Sequence, residues 1–197
     1  DAATAFAVFD GHRNSDWTPD IYVTRDYGAT WTSLATNSID GYCHVIEQDP
    51  VQKDLLWVGT EFGLFVSLDG GKQWNAWRHG VPTCAARAIT TQTRDGDLVV
   101  ATHGRSIFVI DDISPLRSMT PELLQKKLHV FMPRPAIMHG TAQTPSTRFP
   151  GQGEFRGPTA TTSVVLQLLA NAEELDHPDP LKNKERQEAA SSESPKT

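Results

Sequence analysis

The chain repeats itself, and the repeat limits the folds open to it. Thr24-Arg-Asp26-Tyr-Gly28-Ala-Thr-Trp31 and Ser67-Leu-Asp69-Gly-Gly71-Lys-Gln-Trp74 share the pattern Ser/Thr-x-Asp-x-Gly-x-x-Trp, the second beginning 43 residues after the first. A weaker third copy follows, in which Val58-Gly-Thr60 with Leu64-Phe65-Val66 is echoed by Val100-Ala-Thr102 with Ile107-Phe108-Val109. A period in the low forties with several short strands per unit is the signature of propeller blades, each a small antiparallel sheet.

The local patterns read as strands. Leu55 to Thr60 and Leu64 to Ser67 are short apolar runs parted by Glu61-Phe62-Gly63, and Leu98 to Thr102 and Ile107 to Ile110 are parted by His103-Gly104-Arg105-Ser106. Runs of this length, rich in β-branched and aromatic residues and punctuated by glycine, fit buried strands and not helices. With the strands of a unit named a to d, the middle unit has a at His44 to Asp49, b at Leu55 to Thr60, c at Leu64 to Leu68 and d from Trp74. The first unit enters at b (Thr4 to Asp10) and the last stops after c (Ile107 to Asp111), giving one full blade and two incomplete ones.

The eight-residue motif has a structural task. Asp26 and Asp69 fall in the c–d turns, where a short carboxylate accepts hydrogen bonds from turn amides. Gly28 and Gly71 permit a positive φ, while Trp31 and Trp74 are expected to bury their rings between neighbouring sheets. Calcium binding would need more carboxylates than the turn supplies. No cofactor or metal is expected.

The motif resembles the Asp-box, or BNR repeat, of sialidases, xyloglucan-active hydrolases and sortilin-type propellers, and the wider chain is similar to large bacterial sortilin-like BNR-repeat proteins. Asp10-Gly-His-Arg-Asn-Ser-Asp16, Leu56-Trp-Val-Gly-Thr-Glu-Phe-Gly63 and Ala101-Thr-His-Gly-Arg-Ser-Ile-Phe-Val-Ile-Asp-Asp112 carry that similarity, which covers about residues 4 to 117. The resemblance implies an all-β protein with β-propeller blades and export out of the cytoplasm in a bacterium. It also implies that Thr102 to Arg105 belongs to the last blade and that an immunoglobulin-like β-domain follows. The region after Pro133 departs from the family pattern, so that domain is expected to be incomplete or divergent.

Blade geometry sorts the loops. Alternate turns of an up-and-down sheet lie at opposite ends, so the b–c and d–a connections share the face away from the Asp-boxes. That face gathers His12, Arg13, Asp16, Trp17, Glu61, His103 and Arg105, the candidate ligand-binding residues, because loops on a rigid scaffold carry function. Each also has a plainer role: Arg105 as an ion-pair partner of Asp111, Asp112 or Glu61, His103 as a turn residue, and Trp17 as packing. Asp16 and Glu61 are the carboxylates to weigh as an acid/base pair.

Beyond Ser114 the repeat ends. The expected organisation is blades over residues 1–117, a linker with a short helix and strand over 118–135, a partial β-domain or long loop over 136–175, and a disordered tail over 176–197. Thr120-Pro121-Glu122 before Leu123-Leu124 reads as a capped helix start, His129 to Met132 as one strand and Thr161 to Leu168 as another. Pro133 to Pro158 is rich in Pro, Gly and Thr and reads as a long loop, and after Leu175 there is too little apolar matter to fold.

Charge excludes some partners. The net charge is -6, and Asn171 to Thr197 holds seven acids and four bases, so half the excess sits on the tail. No basic block could neutralise a run of phosphates, which argues against nucleic acid, and no apolar run approaches the ~20 residues that span a bilayer. Cys43 and Cys84 lack zinc-site spacing but occupy similar points in successive repeats, so a bridge or two buried thiols are both open. The start at Asp1, without Met, suggests a mature or excised piece, and the partial blades suggest one cut from a longer protein. Partners are then the remaining blades of a parent chain, one of whose segments would complete the last blade, or other subunits, with a protein or carbohydrate ligand on the loop face. The reading is a binding or scaffolding module; the alternative is part of a sialidase- or xyloglucanase-like glycoside hydrolase.

Overall fold

A computed structural model describes residues 1–136, 163–171, 181, 182 and 184. The backbone divides into two units, Asp1–Thr120 and Pro121–Thr197. The chain is all-β in character, built from several small antiparallel sheets.

The first unit contains three sheets in sequence order. Strands β1 (Ala5–Phe9), β2 (Asp20–Thr24) and β3 (Thr32–Ser33) form the first, in that spatial order. The second is four-stranded: β4 (Cys43–Gln48), β5 (Leu56–Thr60), β6 (Gly63–Ser67) and β7 (Asn75–Trp77). The third pairs β8 (Ala86–Gln92), β9 (Asp97–Thr102) and β10 (Ile107–Ile110). The expected strand runs are present to within a few residues. Among the described residues the first sheet has no counterpart of β4 and the third none of β7, as the pattern predicts.

Two apolar clusters hold these sheets face to face. Leu56, Val58, Phe65 and Trp74 of the second sheet pack on Ile21, Val23, Leu34 and Ile39. On its other side Leu55, Trp57, Leu64 and Val66 pack with Ile89, Leu98 and Val100. Alternation along each strand therefore sends successive side chains to different neighbours, which is why β5 and β6 are buried throughout. The register is the same in every sheet: Tyr22 pairs with Ala7, Phe65 with Val58 and Phe108 with Val100.

The turn motifs behave as anticipated at their polar atoms. Asp26 Oδ1 accepts from Thr24 Oγ1 at 2.8 Å and from the Thr30 amide at 2.9 Å, and the Gly28 amide donates to Thr24 Oγ1 at 2.9 Å. In the second turn Asp69 Oδ1 accepts from Ser67 Oγ, Lys72 N and Gln73 N, and the Gly71 amide donates to Ser67 Oγ. Gly28 and Gly71 sit at φ 90° and 92°, the left-handed region that favours glycine. The two tryptophans part company. Trp74 is buried, its Nε1 donating to the Leu34 carbonyl of the preceding sheet at 2.9 Å. Trp31, expected to be buried likewise, is 47 % exposed, because no described sheet stands in front of the first.

At the third repeat Arg117 takes the place of Trp74, 43 residues on. Its Nε and NH2 groups donate to the fully buried Asp49 carboxylate at 2.9–3.1 Å, and Asp49 Oδ1 also accepts from Val51 N and Gln52 N. A charged clasp thus replaces an indole one. Arg117 lies in α1 (Ser114–Arg117), a turn of helix that the sequence pattern does not announce.

The second unit contains α2 (Pro121–Leu124), where the Thr-Pro-Glu signal placed it, and β11 (Leu128–Val130) paired with β12 (Leu168–Ala170). Of the strand expected over Thr161 to Leu168, Thr161 and Thr162 lie outside the described residues, Val164–Gln167 have no regular structure and the paired strand begins at Leu168. The long loop and the tail fall largely outside the described residues; Leu181, Lys182 and Lys184 within the tail are helical. Both cysteines are free, Cys43 buried and Cys84 partly so, and burial with the Asp20 charge pushes the Cys43 thiol up to about 12. No helix among the described residues is long and apolar enough to cross a membrane.

Candidate functional site

At the end of the sheets opposite the turn motifs, three connections converge on one polar cluster. The first follows β1 and carries Asp10 and, in a short 3-10 turn, His12 (His12–Asn14), with Trp17 beyond. The second leads into β4 and brings Tyr42. The third, between β5 and β6, brings Glu61.

Two strand irregularities complete the cluster. The pairing of β4 with β5 shifts register between Cys43 and Val45, and that of β8 with β9 between Ala86 and Ala88. His44 and Arg87 are the extra residues, at equivalent places 43 residues apart. A bulge turns its extra side chain out of the pleat, and here both turn toward the loop end.

His44 is the centre, its side chain only 4 % exposed. Its Nε2 lies 3.0 Å from Glu61 Oε2, and its Nδ1 lies 3.4 Å from an Arg87 NH1 and 3.7 Å from Asp10 Oδ2. An imidazole carrying hydrogen on Nε2 donates to Glu61 and accepts from Arg87. The same Glu61 oxygen accepts from the Tyr42 hydroxyl at 3.0 Å and faces Arg87 NH2 at 3.8 Å. Asp10 accepts from both the amide and Nδ1 of His12. One buried imidazole therefore joins residues of all three sheets.

The rings stack around it. His12 lies parallel to Tyr42 with centroids 4.8 Å apart, Trp17 meets Tyr42 edge-on at 5.6 Å, and Tyr42 meets His44 edge-on at 5.0 Å. Tyr42 is buried beneath this layer, whereas Trp17 is 60 % exposed and forms its outer surface.

Partial burial alone would raise the Glu61 carboxyl, but hydrogen bonds from His44 and Tyr42 and the Arg87 charge outweigh it and hold Glu61 below its ordinary value. Asp10 is likewise held down, its slight burial being outweighed by the His12 hydrogen bonds and the nearby imidazoles. The Tyr42 hydroxyl is pushed up, by burial first and then by Glu61.

Of the residues proposed from sequence, His12, Trp17 and Glu61 meet here. The others do not. Asp16 turns inward on its own loop, accepting from the Thr18 amide and hydroxyl, so it is Asp10 and not Asp16 that lies beside His44 with Glu61. Arg13 is exposed. His103 is exposed, and its amide donates to the Ala85 carbonyl beside the β8–β9 pairing. Arg105 is exposed and makes no ion pair among the described residues, so the pairing with Glu61, Asp111 or Asp112 is absent. Asp10, Tyr42, His44 and Arg87 are the residues that loop reasoning misses. Among the described residues no group of three or more His, Cys, Asp or Glu is arranged to hold a metal ion.

Compared with known proteins, the chain matches no family model and no curated sequence.

Proposed function

We propose that the chain is part of an exported β-propeller and serves as a binding or scaffolding module, recognising protein or glycan through the loop end opposite its turn motifs. The repeat period, the Asp-box resemblance of Thr24 to Trp31 and Ser67 to Trp74, and the shared register of the three sheets support the propeller. Export rests on the same resemblance.

The observation that carries the binding role is the exposed Trp17 ring set over a stacked aromatic layer beside two carboxylates and a guanidinium. A flat indole offers a surface to an apolar sugar face or a side chain, and fixed polar groups around it supply orientation. The arrangement favours binding over glycoside hydrolysis. Hydrolysis needs one carboxyl held protonated as the acid, and Asp10 and Glu61 are both held below their ordinary values.

A glycan array probed with the full chain, backed by titration of any saccharide retained, tests the reading. We expect a saccharide class whose affinity falls about 10-fold or more with Trp17→Ala, the size of a buried aromatic anchor. Absence of saccharide binding sinks the glycan form of the reading. Saccharide or protein binding that is indifferent to both Trp17→Ala and Glu61→Gln sinks the assignment of the face.

A further inference from the structure

The two nitrogens of the His44 ring have different neighbours. Nε2 points to Glu61, from the β5–β6 connection of its own sheet. Nδ1 looks out between two others: Arg87 NH1 on β8 of the third sheet at 3.4 Å, and Asp10 Oδ2, just past β1 of the first, at 3.7 Å. With the edge-on ring of Tyr42, these are the titratable and charged groups in contact with His44 among the described residues. His12 stands one step behind, on Asp10 Oδ1.

The neutral ring satisfies these neighbours in one tautomer. Hydrogen on Nε2 is donated to Glu61 and leaves the Nδ1 lone pair for the guanidinium. Hydrogen on Nδ1 would set a lone pair against a carboxylate and a donor against Arg87. A second proton reverses the Nδ1 side. A charged ring then stands 3.4 Å from a guanidinium nitrogen that also has only hydrogens to offer. Asp10 Oδ2 is the acceptor there, since Oδ1 already serves the His12 amide and ring. A movement of about 1 Å brings Oδ2 to the length of a charge-assisted hydrogen bond. Arg87 has room to leave: its side chain is 44 % exposed and its other contact, with Glu61, is a loose 3.8 Å.

We propose that His44 is a proton-operated latch on the loop-end site. Neutral, it ties the second sheet to Arg87 of the third; protonated, it lets Arg87 go and takes Asp10 of the first. Imidazole is the side chain suited to this, because its charge changes between about pH 5 and 8. On acidification the site exchanges a docked guanidinium and an open carboxylate oxygen for a free guanidinium and a covered carboxylate, and Asp10 carries His12 with it. A ligand on Trp17 is therefore held differently above and below the transition. That consequence rests on the binding role proposed above, whereas the exchange of partners needs no ligand to be seen.

The test is NMR on the isotope-labelled full chain, followed from about pH 8 to 5. At the upper end His44 is expected to carry its hydrogen on Nε2. As it takes the second proton, the Arg87 side-chain Nε–H and Asp10 carboxyl signals should move with the same midpoint. In His44→Gln, which cannot become charged, the Arg87 signal should stay still. Two variants at partly exposed side chains avoid changing the buried ring. Asp10→Asn should lower the His44 midpoint and Arg87→Gln should raise it, each by about one pH unit, the scale of a charge at this distance. Arg87 signals that stay still while His44 titrates overturn the proposal. So does a neutral ring with its hydrogen on Nδ1, or a midpoint that neither substitution moves. Because no ligand enters, an empty glycan array leaves the latch standing, and a failed latch leaves the binding role standing.

Discussion

Arg117 and Trp74 do one task with different chemistry. Trp74 spans to the preceding sheet through a neutral hydrogen bond and a buried ring, while Arg117 does so through a carboxylate with no exposure at all. A buried charge that loses its partner is costly, about 3–5 kcal/mol. Arg117→Ala is therefore expected to lower unfolding stability by that order, read as a shift of the urea midpoint. Asp49→Asn, which removes the charge but keeps acceptors for Val51 and Gln52, should cost less. A midpoint that neither change moves would mean that the ion pair is not what holds α1. Residues such as these were only half legible beforehand. The 43-residue spacing puts position 117 in line with Trp74, but nothing in a linear pattern pairs Arg117 with a residue 68 places earlier.

At the scale of strands and turns, strand positions could be read because burial on both faces leaves continuous apolar runs, and the turns because Asp and Gly at fixed spacing have one backbone use. The cluster residues His44 and Arg87 were opaque for the opposite reason: each is the extra residue of a bulge, where the alternation of side chains breaks and a period-two reading assigns the wrong side. Trp31 was misread because burial depends on a neighbour that the motif does not encode. The close approach of neighbouring sheets is equally invisible in sequence. A Cβ on Gly59 would fall 2.4 Å from the Ala86 carbonyl oxygen and 2.8 Å from a Val45 methyl. Because backbone cannot yield as a flexible side chain can, Gly59→Ala should cost about 1–3 kcal/mol, measured by thermal melting against wild type. A neutral result would show that β5 and β8 can separate freely.

For the whole molecule, acid is the condition that tests the charge pattern. Asp10, Asp16, Asp26 and Glu61 are all held below their ordinary values, Asp26 to about 2 through hydrogen bonds from Thr30 and Thr24. A group depressed on folding stabilises the folded state above its unfolded pKa, and that contribution is lost as pH falls through its folded value. The loss from these groups is expected to begin near pH 4.5 for Glu61 and 3.8 for the aspartates and to continue toward about 2. Melting temperature against pH checks this, and Glu61→Gln should flatten the upper part of the fall. A curve just as steep in that variant would place the acid response elsewhere. The placement of the turns has a different consequence. The second sheet keeps the polar bonds of its turn motif at one end and its bulge residue His44 and loop residue Glu61 at the other. If the loop end recognises a ligand as proposed, a duplicated unit can drift there while its turn motif stays fixed, so new specificities become reachable by point changes that leave the turn intact.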